Sequence, residues 1–129
     1  MLSGYYCWRN FGIEAEFVVV NYLRLKDWNI KLSRSSRGAA DITANKDGLI
    51  WCIQVKASSR SAHIKSKEIK RLCDYANSIN GIPVLAILQP WTANIQGHNS
   101  GNKTMEQGIP IGKYILFLYS LQKWECLQA

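Results

Sequence analysis

Five consecutive apolar residues, Val84-Leu85-Ala86-Ile87-Leu88, follow directly on Pro83. Successive side chains of a strand point to opposite sides, so a strand with no polar alternation needs cover on both faces. That requirement implies a strand in the middle of the sheet, between two layers. Candidate layers are legible upstream. Residues 67–80 place Ile69, Leu72, Cys73, Ala76 and Ile79 at helical spacing, with Ser66 expected to cap the start and Gly81 to end the helix. Between Gly12 and Leu25, a second stripe is formed by Ala15, Val18, Val19, Tyr22 and Leu23, and Asp27-Trp28-Asn29 ends it. The run Val18-Val19-Val20 favours a strand locally, but Glu14, Glu16, Asn21, Arg24 and Lys26 suit the wet side of a helix.

The remaining segments read as strands and connections. A short strand is expected at residues 30–32, then a loop of hydroxyl and arginine side chains at 33–38, a segment 39–44, and a strand at 49–56. The turn Asn45-Lys46-Asp47-Gly48 carries an Asp-Gly pair, which joins the last two as a hairpin. Residues 91–112 are rich in glycine, asparagine and polar side chains and read as a long loop, while 113–119 and 123–127 read as a closing strand pair. The order αβββαβββ gives an α/β fold, a mixed sheet flanked by helices. A chain of 129 residues suits one such domain over residues 1–129 and is too short for two.

Sixteen Lys and Arg against nine Asp and Glu leave a charge of +7, which favours a polyanionic partner, either nucleic acid or an anionic membrane surface. Residues 115–119 are purely apolar but far short of the roughly 20 that a spanning helix needs. The first nine residues lack a basic stretch followed by an apolar core, so a cytoplasmic location is expected. The four cysteines, Cys7, Cys52, Cys73 and Cys126, show no CxxC spacing, and Cys52 and Cys73 sit in apolar patterns that suit core thiols. His63 and His98 lie in polar loops and are expected in solvent.

Chemistry concentrates around the hairpin. On the strand 49–56, Gln54 and Lys56 project to one side while Ile53 and Val55 project to the other. Pairing brings the segment bearing Asp41 alongside, and Glu16 would add a second carboxylate if the first helix packs against the open end of the hairpin. Singly, each has an ordinary reading: a solvated strand lysine, a satisfied amide, a helix-surface glutamate, a turn aspartate. Together, two carboxylates can hold Mg²⁺, and a nearby lysine can steer or deprotonate an attacking water, which is the equipment for phosphodiester hydrolysis.

The series Gly12-Ile13-Glu14-Ala15-Glu16, then Ser33-Arg34-Ser35-Ser36-Arg37-Gly38-Ala39-Ala40-Asp41-Ile42, then Cys52-Ile53-Gln54-Val55-Lys56, then Gly81-Ile82-Pro83-Val84-Leu85-Ala86 resembles the archaeal Holliday-junction resolvases of the PD-(D/E)XK nuclease superfamily. The resemblance runs from about Arg9 to Gln89. It implies a restriction-endonuclease-like fold and a structure-selective DNA endonuclease acting on four-way junctions with Mg²⁺, Mn²⁺ substituting. Glu16 matches the family's helix glutamate, with Glu14 as the fallback, and Asp41 matches its aspartate. Gln54-Val55-Lys56 matches the (D/E)XK strand, the Val55 carbonyl being a further metal ligand. The loop before Asp41 matches one that helps in cleavage, which adds Ser35 and Ser36 to the DNA-contacting candidates Arg34, Arg37, Arg60, Lys65 and Lys67. Symmetric nicks across a junction imply a homodimer, and Trp28, Trp51 and Trp124 offer apolar surface beyond the needs of a small core.

This sequence departs from the family pattern at Gln54, where an acid is usual. The amide keeps an oxygen donor and loses a negative charge, which weakens cation binding. Two other readings therefore stay open: a restriction, repair or transposition nuclease cutting duplex DNA, and a non-catalytic DNA-binding module. The stretch from Lys56 to Arg71 carries Arg60, Lys65, Lys67 and Lys70 against a single acid, Glu68. It suits a solvated helix face, or a phosphate-tracking surface beside the site.

Overall fold

The computed structural model describes residues 8–32, 39–57, 64–90, 108–122 and 125–127. The first element, α1 (Trp8–Leu25), begins a turn earlier than its stripe suggests, carrying Gly12 in its interior. A helical glycine costs about 1 kcal/mol relative to alanine, a small penalty beside the burial of Ala15, Val19, Val20 and Leu23 on the same helix. At its C-terminus Asp27 takes a left-handed φ of 69°. The N–H groups of Asp27 and Trp28 return to the carbonyls of Arg24 and Leu23 at 3.1 and 3.0 Å. This Schellman ending turns the chain sharply and seats Trp28 in the core with Leu23.

Strands β1 (Asn29–Leu32), β2 (Ile42–Lys46) and β3 (Leu49–Ala57) form an antiparallel meander. Lys46 pairs with Leu49 across a two-residue turn in which Asp47 and Gly48 both have positive φ, 51° and 83°. That geometry is type I′ and explains why Asp-Gly specifies it. After β3 the chain crosses through α2 (Ser66–Ser78) and returns as β4 (Ile82–Pro90), parallel to β3. Strand β6 (Tyr114–Ser120) runs antiparallel to β4 along its length. The other edge of β6 is shared by β5 (Ile109–Ile111) and β7 (Glu125–Cys126). Among the described residues the sheet has seven strands, in the order β1-β2-β3-β4-β6-β5 with β7 on β6.

Among the described residues each face carries one helix. Against α1, through Ala15, Val19, Val20 and Leu23, pack Ile42, Ala44, Trp51, Ile53, Val55, Val84, Ala86 and Leu88. Against α2, through Leu72 and Ala76, pack Cys52 and Leu85, with Ile50 and Ile87 at the margin. Strand β4 thus sends alternate side chains into both layers, as its unbroken apolar run requires.

Four expectations are corrected. The loop 91–112 ends in a strand, because Ile109-Pro110-Ile111 pairs with β6; Pro110 is tolerated there because the strand lies at an edge. Lys65, not Ser66, is the N-cap of α2, and its N–H is received by Glu68 Oε1 at 3.2 Å, so an acid in the first turn does the capping. At the other end Asn80, with φ 56°, takes the left-handed position expected for Gly81. Gly81 serves close packing instead: a Cβ there would lie 2.9 Å from Cys52 Sγ. Finally, Trp28 and Trp51 are buried and their rings stand 4.3 Å apart, so they belong to the core and not to spare surface. Cys52 is fully buried and Cys73 partly so, as small core residues. Among the described residues no helix is long and apolar enough to cross a membrane.

Candidate active site

Of the described candidates, Asp41, Gln54 and Lys56 lie together at the open end of the hairpin, and Glu16 comes within reach of the Asp41 charge from α1. Asp41 immediately precedes β2, one residue beyond the registered pair Ile42–Ile53, which sets it at the level of Gln54. Its own N–H continues the ladder to the Ile53 carbonyl at 2.8 Å. Its side chain reaches along β3, where Oδ2 accepts the Val55 N–H at 2.9 Å. One carboxylate oxygen is thereby fixed by main chain on the neighbouring strand.

Gln54 and Lys56 share the parity of Cys52, so both stand on the α2 side of the sheet, half-buried, while Val55 is buried on the α1 side. The Lys56 ammonium meets Glu68 Oε2 on α2 at 2.8 Å, with the side chains 27% and 32% exposed. At that exposure the pair is only partly screened by solvent. Both oxygens of Glu68 are engaged, one by Lys56 and one by the cap of α2.

Glu16 arrives from α1, on the opposite face. Burial, and then the charge of Asp41, push its carboxyl above the ordinary range. Asp41 is also raised: burial dominates, the Val55 hydrogen bond and the Lys56 charge oppose it, and the charge of Glu68 adds to it. The two layers therefore meet electrostatically at Asp41, which feels Lys56 and Glu68 from one side of the sheet and acts on Glu16 from the other. Two half-buried carboxylates that each disfavour ionisation form a place where an added cation gains energy.

The fallback Glu14 sits differently, accepting the Tyr114 hydroxyl at 2.8 Å. That bond ties α1 to β6; burial first, and then the bond and the charge of Glu14, push the Tyr114 phenol up to about 12. Lys65 and Lys67 are exposed around the start of α2, on either side of the helix entry beside Glu68. The candidates Arg34, Ser35, Ser36, Arg37 and Arg60 lie outside the described residues, as do His63, His98 and Trp124.

Glu68 is the residue the sequence reading passed over. Counted as one acid in a basic run, it looks like solvent-facing charge. Yet Glu68, Leu72 and Ala76 are spaced four apart on one helix face, and the latter two are buried. Extending that stripe by one turn points Glu68 at the sheet. Among the described residues, no three His, Cys, Asp or Glu side chains form a group able to hold a metal ion by themselves.

Comparison with known proteins gives two findings. The model of the family described as archaeal Holliday junction resolvase (hjc) matches residues 8–107. Among solved structures, the Holliday junction resolvase Hjc of Archaeoglobus fulgidus, an archaeal hyperthermophile, superposes with a TM-score of 0.60 at 13% identity, covering 91% of this chain and 90% of that one. That likeness establishes a restriction-endonuclease-like fold. No curated protein matches the sequence.

Proposed function

Because this chain belongs to the archaeal Holliday junction resolvase family, a family of junction-resolving nucleases, we propose that it is a Mg²⁺-dependent endonuclease that resolves four-way DNA junctions by phosphodiester hydrolysis. The observation that supports the reading is the anchoring of Asp41 to the Val55 N–H, on the strand that bears Gln54 and Lys56, with the charge of Asp41 felt at Glu16.

The donor set suits the ion. Glu16 and Asp41 offer carboxylate oxygens, Gln54 an amide oxygen and Val55 a main-chain carbonyl, all hard donors of the kind Mg²⁺ accepts, with Mn²⁺ as a substitute. With so few acids the ion would keep several waters, as Mg²⁺ commonly does. When bound, it would supply Lewis-acid stabilisation of charge on the phosphate oxygens.

The chain's own residues do the rest. Asp41, held by the Val55 N–H, presents a preset oxygen, which removes a reorganisation cost at the moment of reaction. Lys56 places an ammonium in the same half-buried space, where it steers the attacking water and offsets charge gathering on the phosphate; only as the neutral amine would it deprotonate that water. Lys65 and Lys67 track the phosphate backbone beside the site, and Arg34, Ser35, Ser36, Arg37 and Arg60 extend that surface in the same proposal. Two symmetric cuts require two sites, so the working form is a homodimer. Support for it shifts from the tryptophans to α1, where Ile13 and Phe17, one turn apart, are 53% and 64% exposed. A cytoplasmic site of action belongs to the same reading.

The test is a substrate panel: the protein with Mg²⁺ on a four-way junction, a flap, a linear duplex and a single strand. Preferential, symmetric nicking of the junction is expected. Equal cutting of duplex and junction would move the chain to duplex-cleaving biology. Salt-sensitive binding with no cleavage in Mg²⁺ or Mn²⁺ would make it a binding module, the reading that Gln54 favours.

A further inference from the structure

The (D/E)XK strand of this chain carries no acid: Gln54 stands two residues before Lys56 on the same face of β3. A carboxylate is nonetheless present on that face, delivered by α2. Glu68 Oε2 lies 2.8 Å from Lys56 Nζ, and the charge of Glu68 reaches Asp41. We propose that Glu68 supplies, from the helix, the negative charge that Gln54 has lost from the strand, and that it acts as a positioning residue for Lys56 and for the cation held by Glu16 and Asp41. This rests on the metal-dependent reading given above and names an additional residue within it.

Three features of the geometry support the assignment. First, Glu68 is held in place: its other oxygen, Oε1, receives the Lys65 N–H at 3.2 Å, so its carboxylate is locked between the start of α2 and the lysine. Second, it faces inward, on the stripe it shares with the buried Leu72 and Ala76. A glutamate there is not free to leave for solvent without unmaking the cap. Third, the charge count closes. Glu16, Asp41 and Glu68 against Lys56 give the same balance as Glu16, Asp41 and an acid at position 54 against Lys56.

Glu68 does not join Glu16 and Asp41 in a three-acid cage. Its contribution is therefore that of a neighbour: it fixes the ammonium that borders the cation and adds field at Asp41. Neighbouring groups of this kind are worth roughly ten-fold to a hundred-fold in metal affinity when removed.

The experiment is a Mn²⁺ titration by calorimetry on the full chain, in the absence of DNA, for the wild type, Glu68→Gln, Gln54→Glu, the double variant and Asp41→Asn. Glu68→Gln is isosteric, and its amide oxygen can still accept the Lys65 N–H, so the fold is expected to stand, with circular dichroism as the check. Glu68→Asp, which keeps the charge at shorter reach, replaces it in the series if it does not stand. Expected are a loss of roughly ten-fold in Mn²⁺ affinity for Glu68→Gln, a smaller loss for Glu68→Asp, and recovery to within about two-fold of wild type in the double variant. Affinity unchanged by Glu68→Gln, or a double variant no tighter than Glu68→Gln alone, overturns the proposal. Asp41→Asn separates the two failures. If it binds Mn²⁺ as wild type does, the metal site itself is misplaced; if it loses binding while Glu68→Gln does not, only the role of Glu68 falls.

Discussion

Asp41 and Val55 are joined by a hydrogen bond of 2.9 Å from main-chain N–H to carboxylate Oδ2, across the mouth of the β2–β3 hairpin. This bond spends one oxygen of the acid on the strand that bears the rest of the candidate site. It also fixes what a substitution can test. In Asp41→Asn the amide oxygen can still accept the Val55 N–H, while a half-buried charge disappears. Without divalent metal, the melting temperature is expected to stay within about 4 °C of wild type or to rise. Added Mg²⁺ should raise the wild-type value and leave the variant unmoved. A drop well beyond that range would show Asp41 to be chiefly a structural acid.

Tyr114 and Glu14 tie α1 to the far side of the sheet. Replacing Tyr114 with Phe removes a hydrogen bond to a charged acceptor and should cost about 1–2 kcal/mol at neutral pH. The pH dependence has a definite sign. The folded phenol titrates near 12 against an ordinary value of 10.0. The folded state therefore holds its proton where the unfolded chain has released it, and this contribution is complete below pH 10 and lost as pH rises toward 12. Denaturant titrations from pH 9 upward should show the wild type losing stability faster than Tyr114→Phe. Parallel curves would remove this bond from the stability of the α1 interface.

Gly81 lies where α2 hands the chain to β4. An added methyl would stand 2.9 Å from Cys52 Sγ and 3.3 Å from the Ile50 carbonyl oxygen. Gly81→Ala should therefore destabilise by about 1–3 kcal/mol, the usual cost of overpacking. An unchanged denaturation midpoint would mean that the two elements separate easily.

Lys65 and Lys67 are exposed around the start of α2. If both contact phosphates, replacing both with Ala should flatten the slope of log affinity against log salt by about 2. An unchanged slope would place the DNA path elsewhere.

What the sequence reveals here depends on how local each signal is. The central position of β4 is legible because an unbroken apolar run has no other use, and the β2–β3 hairpin is legible because Asp47-Gly48 suits a turn with two positive φ angles. Strand β5 is not, because three residues around a proline become a strand only by pairing with β6. The ends of α2 miss by one residue for a similar reason: the cap comes from Glu68 and the left-handed residue is Asn80, while the spacing of Gly81 answers to Cys52 on another strand. At the site, alternation alone places Gln54 and Lys56 on one face. Choosing between Glu14 and Glu16 needs three dimensions, since two residues on one helix diverge toward Tyr114 and Asp41. Glu68 hides because a charge in a basic run looks like solvent, and only the burial of Leu72 and Ala76 reveals which way that face turns.

The central claim is that Asp41 helps to hold a divalent ion with which this chain cuts branched DNA. Its most direct measurement is the single-turnover rate of four-way-junction cleavage in Mg²⁺ for the wild type and Asp41→Asn, with junction binding measured in parallel. Expected are paired nicks by the wild type that a chelator abolishes, and a rate lower by on the order of a hundred-fold or more in the variant, at nearly unchanged binding. Cleavage by Asp41→Asn at the wild-type rate, or wild-type cleavage that persists in chelator, would contradict it.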